Sequence, residues 1–215
     1  MSDILIIGGH GKVALRLAPL LVQAGHQVTS VIRNPDHGAD VEATGATALL
    51  FDIESADTAA IADIIRGQDA LVWSAGAGGG SPERTYAVDR DAAIRSMEAA
   101  HAAGVPRYVM VSYIGAGPDH GVPRDNPFFA YADAKTAADA HLRGSELDYT
   151  ILGPGTLTVE PPSGRIDVGR FSDGTNTSRD NVAQVIAAVL EEPATIGRTI
   201  DFRDGQTPIE QAILG

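Results

Sequence analysis

A short apolar run, DILIIG at residues 3–8, passes directly into GGHGKVALRLAPLLVQAG. Gly9, Gly11 and Ala14 fit the spacing G-x-G-x-x-G/A, and Gly8, Gly11 and Ala14 fit the related frame G-x-x-G-x-x-A, so both frames describe one turn. Glycine is needed there because the chain bends sharply from strand to helix and must let an anion approach its backbone. The small Ala14 lets the helix pack closely on the strand. With a strand before it and an amphipathic helix after it, this spacing stands in the setting that binds a dinucleotide pyrophosphate. A chain opening this way is directed to a βαβ unit, and so to a parallel sheet covered on both faces.

The rest of the chain repeats the pattern. Residues 3–8, 27–32, 46–51, 70–75, 107–113, 148–152 and 198–202 read as strands, most of them too continuously apolar to face water. Residues 12–25, 55–66, 83–103, 129–145 and 178–192 read as helices, often closed by a glycine such as Gly25, Gly67, Gly104 or Gly144. Strand followed by helix, repeated, predicts a doubly wound α/β sheet in one domain over 1–215. Two Gly/Pro-rich segments, 115–127 and 153–164, each follow a strand and are expected at the carboxyl edge of the sheet, where ligands bind. Phe128, Phe129, Leu157 and Val159 are the apolar residues expected to wall a substrate pocket there. The GAGGG run at 76–80 reads as a loop.

Composition excludes several function classes. There is no cysteine, so no disulfide framework, thiolate metal site or cysteine nucleophile exists. The six histidines show no metal-ligand spacing, and Ser74 and Ser112 lack a G-x-S-x-G setting, so neither a metal nor a serine hydrolase is expected. A formal charge of −12, from 16 basic and 28 acidic residues, repels phosphate backbones and acidic lipids. The first residues lack the basic start and long apolar stretch of a signal peptide, and no apolar run nears the roughly 18 residues of a membrane span. A soluble, cytoplasmic protein without nucleic-acid or membrane partners is expected.

Two further constellations carry chemistry. Where NAD-binding relatives of such a fold place an acid after the second strand, this chain has Arg33, with Asn34, Pro35 and Asp36 beyond it. A cation there suits a 2′-phosphate, and Lys12 in the glycine loop adds a second positive charge, so NADP (NADPH) is the expected cofactor. YADAK at 131–135 sets Tyr131 and Lys135 four residues apart on one helix face. An ammonium beside a phenol is expected to lower its pKa and let it exchange a proton with a substrate oxygen, which Ser112 would polarise from the opposite side. The chain holds only two lysines, Lys12 and Lys135, against fourteen arginines, and both fall inside these motifs.

The series formed by the glycine loop, Arg33, Asp52, SAGAG, VSY, YADAK, YTILGPG and TSRDNVAQVI resembles the atypical short-chain dehydrogenase/reductase family, in its NAD(P)H-binding NmrA-like group. The likeness covers nearly the whole chain. It implies a Rossmann fold with a small C-terminal substrate cap, mainly from 153–177 and 203–215. It also implies that Gly8, Gly9, His10, Gly11, Lys12 and Val13 hold the pyrophosphate, Arg33 the 2′-phosphate, and Asp52 with Ile53 the adenine. Ser74, Ala75 and Gly76 would line the ribose, Lys135 would bond the nicotinamide ribose, and Gly153 with Pro154 would touch the carboxamide. The chain departs from the pattern at Ala14, at His10 and at Gly153, where many relatives carry arginine. Retention of Tyr131 and Lys135 favours an enzyme, an oxidoreductase acting on a small-molecule carbonyl substrate. An NADP-dependent epimerase and a non-catalytic NADP-binding sensor or scaffold are the alternatives, and exposed helices of this class often pair into a homodimer.

Overall fold

The computed structural model describes residues 1–78, 81–171 and 174–215. Two residues of the GAGGG run (79–80) and two of the expected cap segment (172–173) lie outside them. The elements in order are β1 (Asp3–Ile7), α1 (Ala14–Gln23), β2 (Gln27–Ile32), α2 (Gly38–Glu42), β3 (Thr47–Leu50), α3 (Thr58–Ile65), β4 (Ala70–Trp73), α4 (Pro82–Thr85), α5 (Ala93–Ala103), β5 (Arg107–Val111), α6 (Phe129–Arg143), β6 (Asp148–Pro154), β7 (Thr156–Thr158), β8 (Arg165–Val168), β9 (Asn176–Ser178), α7 (Arg179–Glu191), β10 (Arg198–Asp204), β11 (Thr207–Pro208) and α8 (Ile209–Ala212). A π-helical stretch, Tyr86–Ala92, joins α4 to α5.

The main sheet has the order β11-β8-β10-β6-β5-β4-β1-β2-β3. From β3 to β10 the pairs are parallel, while β8 runs antiparallel to β10 and to β11. The part β3-β2-β1-β4-β5-β6 is the Rossmann order, in which the chain reverses its winding direction between β1 and β4 and opens a crevice at their carboxyl ends. Strand residues alternate between two cores. Ile4, Ile6, Val72 and Val109 face α1 and α7, whereas Leu5, Ile7, Leu71, Trp73 and Met110 face α3, α5 and α6. This is the doubly wound architecture expected from the strand and helix repeats.

Three departures from the expected elements matter for the site. The stretch 83–103, expected as one helix, is broken by the π-helical segment, which turns Asp89 into the interior. β6 runs on to Pro154, two residues past its expected end, because Asp201 and Phe202 of β10 pair with Gly153 and Pro154. The segments expected as a cap supply the β7–β9 ribbon and the strands β8 and β11, which extend the main sheet. No helix among the described residues is long and apolar enough to cross a membrane.

Candidate active site and cofactor groove

Three adjoining clefts run along the carboxyl edge at the β1/β4 reversal. The first, about 200 Å³, is lined by Arg33, Phe51, Asp52, Ile53, Glu54 and Arg84 among others. The second lies over Gly8, His10, Gly11 and Ser74. The third, about 260 Å³, holds Lys12, Val13, Asp89, Ser112, Tyr131, Leu157 and Arg179. Ala75 and Gly76 line all three, which makes them one groove with two ends.

The glycine loop forms the middle of this groove. Gly8 has φ +88°, and a Cβ there would lie 2.6 Å from Ala75 Cα, against the segment leaving β4. Gly9 is buried; its N–H donates to Val31 O at 2.8 Å, and a Cβ would meet Ser30. It therefore belongs to the packing of the loop on β2 and does not line the groove, unlike its expected pyrophosphate role. The N-terminus of α1 carries no side-chain cap; the Leu15 and Arg16 amides donate to Gly11 O and Val13 O, and the amides ahead of them, of Lys12, Val13 and Ala14, have no acceptor among the described residues. An open helix start over a glycine cradle, with a cleft on each side, fits an extended dinucleotide. His10 stacks on His37 with centroids 3.6 Å apart and contacts Asp40 Oδ2 at 2.8 Å, tying the loop to α2.

At the first end, Asp52 and Ile53 line the cleft as expected of adenine contacts, but both Asp52 carboxylate oxygens already accept bonds within their own turn, from Glu54 N and Ser55 Oγ. Arg33 is present at the end of β2, paired to Glu54 at 2.7 Å.

At the other end, Tyr131 in the first turn of α6 packs its ring against Tyr113 and Phe128, with centroids 5.6 and 5.2 Å away. Ser112 follows β5, and its Oγ donates to Asp139 Oδ2 at 2.6 Å. This bond engages the Ser112 proton that the sequence-based expectation directed at a substrate oxygen. Lys135 is 1% exposed, below the groove; its Nζ donates to Val111 O at 2.8 Å and contacts Met110 Sδ at 3.1 Å. It does not line the third cleft, whereas the resemblance implied a contact to the nicotinamide ribose.

The electrostatics differ from expectation as well. Burial, then Asp89, Asp139 and Tyr113, push the Tyr131 phenol up from its ordinary range, where a lowered value was expected from Lys135. The ammonium is itself pushed down by burial, against the pull of Asp139 and Asp89, and Asp89 and Asp139 are raised by burial. A buried lysine thus sits between two buried acids beneath the groove. Asp89 accepts from Ala77 N at 2.9 Å, and its Oδ1 would lie 3.1 Å from a Cβ at position 76, a close contact.

Gly153 and Pro154 are buried in β6, where a Cβ at 153 would run into Asp201 and Tyr113 O. Neither lines any of the three clefts. Of the expected pocket wall, Leu157 lines the third cleft and Phe128 packs on Tyr131, while Phe129 turns to His120 and Val159 is 73% exposed. Arg84, Glu54, Asp89 and Asp139 were missed in the sequence. Only Asp139 had a usable signal, its place one helical turn beyond Lys135.

The profile of a family described as NAD(P)H-binding matches residues 8–193. The chain belongs to this NAD(P)H-binding family. Its cofactor is therefore a nicotinamide dinucleotide. The chain is 35% identical over 213 residues to YhfK of Bacillus subtilis, which bears the name of an uncharacterized sugar epimerase, with 98% of each chain covered. A solved structure from Bacillus halodurans, named for an NAD-dependent epimerase/dehydratase, superposes with a TM-score of 0.91 at 32% identity over 99% of each chain. The oxidoreductase ylbE from Lactococcus lactis follows with a TM-score of 0.87 at 28% identity, covering 98% of this chain and 94% of that one. The two solved structures share the Rossmann architecture described above.

Proposed function

We propose that the chain is an NADPH-dependent oxidoreductase that reduces a small carbonyl substrate, with Tyr131 as the proton donor. The observation that carries this reading is that Tyr131 and Ser112 line one cleft with the glycine-loop residues Gly11, Lys12 and Val13. The nicotinamide, when bound, supplies the hydride that adds to the carbonyl carbon. The carbonyl oxygen then takes the Tyr131 proton, giving an alcohol and leaving a phenolate that recovers a proton from solvent. Burial raises the Tyr131 phenol above its ordinary range, so it is protonated at neutral pH as any tyrosine is, and the proton is drawn by the strongly basic oxyanion that hydride addition would create. Ser112, holding its proton on Asp139, turns its lone pairs to the cleft and accepts a hydrogen bond from the product hydroxyl. Lys135 acts from below as the counter-charge to Asp89 and Asp139. Arg33 and Lys12 support NADP over NAD.

The test is a panel of carbonyls and quinones followed at 340 nm with wild type and Tyr131→Phe. NADPH binding should survive the substitution while turnover falls by about 10² or more, the size of a general-acid contribution. Undiminished turnover in Tyr131→Phe would remove the proton-donor role. The name of the Bacillus subtilis relative favours a second reading, an epimerase in which Tyr131 takes and returns the same proton. That activity would give epimer formation by NMR with no net change at 340 nm. If both assays stay silent and nucleotide changes association with another protein, a sensor replaces both readings.

A further inference from the structure

Two guanidinium groups at the adenine end of the groove converge on one carboxylate oxygen. Glu54 Oε2 accepts from Arg33 Nη1 at 2.7 Å and from Arg84 Nε at 3.3 Å. The two arginines come from different elements, Arg33 from the end of β2 and Arg84 from α4. Arg84 is held in place by a second bond, Nη1 to Ala77 O at 2.6 Å. The Glu54 backbone is also held, since Arg95 donates to Glu54 O at 2.9 Å and to Ala56 O at 3.0 Å. All three side chains line the cleft that Asp52 and Ile53 share.

Such an arrangement is an anion site whose present occupant belongs to the chain. A carboxylate oxygen and a phosphate oxygen make the same charge-assisted bonds to guanidinium, but a phosphate monoester brings up to two charges and three acceptor oxygens. We propose that Arg33 and Arg84 together form the 2′-phosphate site of NADP, and that Glu54 is an internal competitor occupying it. This rests on the reading of the cofactor as NADP and adds two residues to it, a second phosphate ligand and a group that sets the degree of preference. With NAD nothing needs to be displaced, and Glu54 keeps both arginines. With NADP the carboxylate must leave Arg33 and Arg84, and the two anions repel if it stays close. Glu54 therefore holds NADP and NAD affinities nearer to each other than the two arginines alone would.

The experiment is fluorescence titration of NADPH and NADH on wild type, Arg33→Ala, Arg84→Gln and Glu54→Gln, with 2′,5′-ADP and 5′-AMP as competing probes. Glu54→Gln removes the charge and keeps the shape. It should tighten NADPH and 2′,5′-ADP about tenfold and leave NADH and 5′-AMP within about twofold. Arg84→Gln should weaken NADPH and 2′,5′-ADP about tenfold without moving NADH. If Arg33→Ala leaves the ratio of NADPH to NADH affinity unchanged, the NADP reading fails and this inference falls with it. If Arg33→Ala lowers the ratio while Glu54→Gln and Arg84→Gln leave it alone, the NADP reading stands and the inference is overturned. Should Arg84→Gln lose NADH as well, Glu54→Gln decides alone, because retained NADH binding in that variant reports an intact groove.

Discussion

Ser112 donates its hydroxyl proton to Asp139, Oγ to Oδ2 at 2.6 Å, and the other oxygen of that buried carboxylate, Oδ1, has no hydrogen-bond partner among the described residues. The pair joins the end of β5 to α6 about two turns beyond Tyr131, and Ser112 and Tyr131 line the same cleft. Because the hydroxyl has one proton, its direction decides what Ser112 offers the cleft, and Asp139 sets that direction.

The two residues should therefore act as a unit in turnover. Ser112→Ala and Asp139→Asn should each lower kcat by about tenfold, with the double variant losing little more than either alone, as for residues in one hydrogen-bond network. A cycle of the four proteins on a reducible carbonyl measures this. Additive losses would mean that Asp139 acts separately from Ser112.

The contribution of Asp201 to stability should fall as pH rises out of the acid range. Asp201 beside β6 is raised by burial, which the bond from Gly115 N only partly offsets. A carboxyl whose folded pKa lies above the unfolded value of about 3.9 keeps its proton longer in the native state, so stability present at low pH is lost as pH rises through the folded pKa. Asp201→Asn removes that contribution. Relative to wild type the variant should gain stability in urea melts between about pH 4 and pH 7, a window that starts at the unfolded carboxylate value. A constant difference across it would show that Asp201 does not titrate differently in the two states.

Lys135→Met should be strongly destabilising although it adds apolar surface to the interior. It leaves Asp89 and Asp139 buried without their shared counter-charge, and removing one partner of a buried charge set costs about 3–5 kcal/mol. A denaturant midpoint near wild type would mean that the two acids are neutral in the folded protein.

Gly8 and Gly25 have nearly the same φ, +88° and +90°, and different surroundings. Alanine at either position meets the left-handed penalty of about 1–2 kcal/mol. At Gly25 a Cβ finds nothing within 4 Å, whereas at Gly8 it meets Ala75 at 2.6 Å and displaces the wall of the groove. Gly8→Ala should therefore lose more stability than Gly25→Ala and also lose nucleotide binding, which Gly25→Ala keeps. Equal melting temperatures and equal NADPH affinities would separate Gly8 from the groove.

Periods of two and of 3.6 residues, glycine at turns and the charge of Arg33 are local properties. They are readable along the chain, and from them came β1 to β6, the long helices, the doubly wound order and the cofactor loop. β8 and β11 were not readable, because RIDV and TP are short and gain their structure from antiparallel pairing, β8 with β10 and β11 with β8, between segments distant in the chain. The same holds for the chemistry. Tyr131, Lys135 and Ser112 stand out by type and spacing, but burial and contacts from other elements decide what each can do. Asp139 lies 27 residues from Ser112, and Glu54 lies 21 from Arg33 and 30 from Arg84. No spacing along the chain encodes those meetings. Packing of α6 on β5, and of the β3 and β4 exits on each other, brings the groups together in a medium of low dielectric, where proximity sets protonation and hydrogen-bond direction.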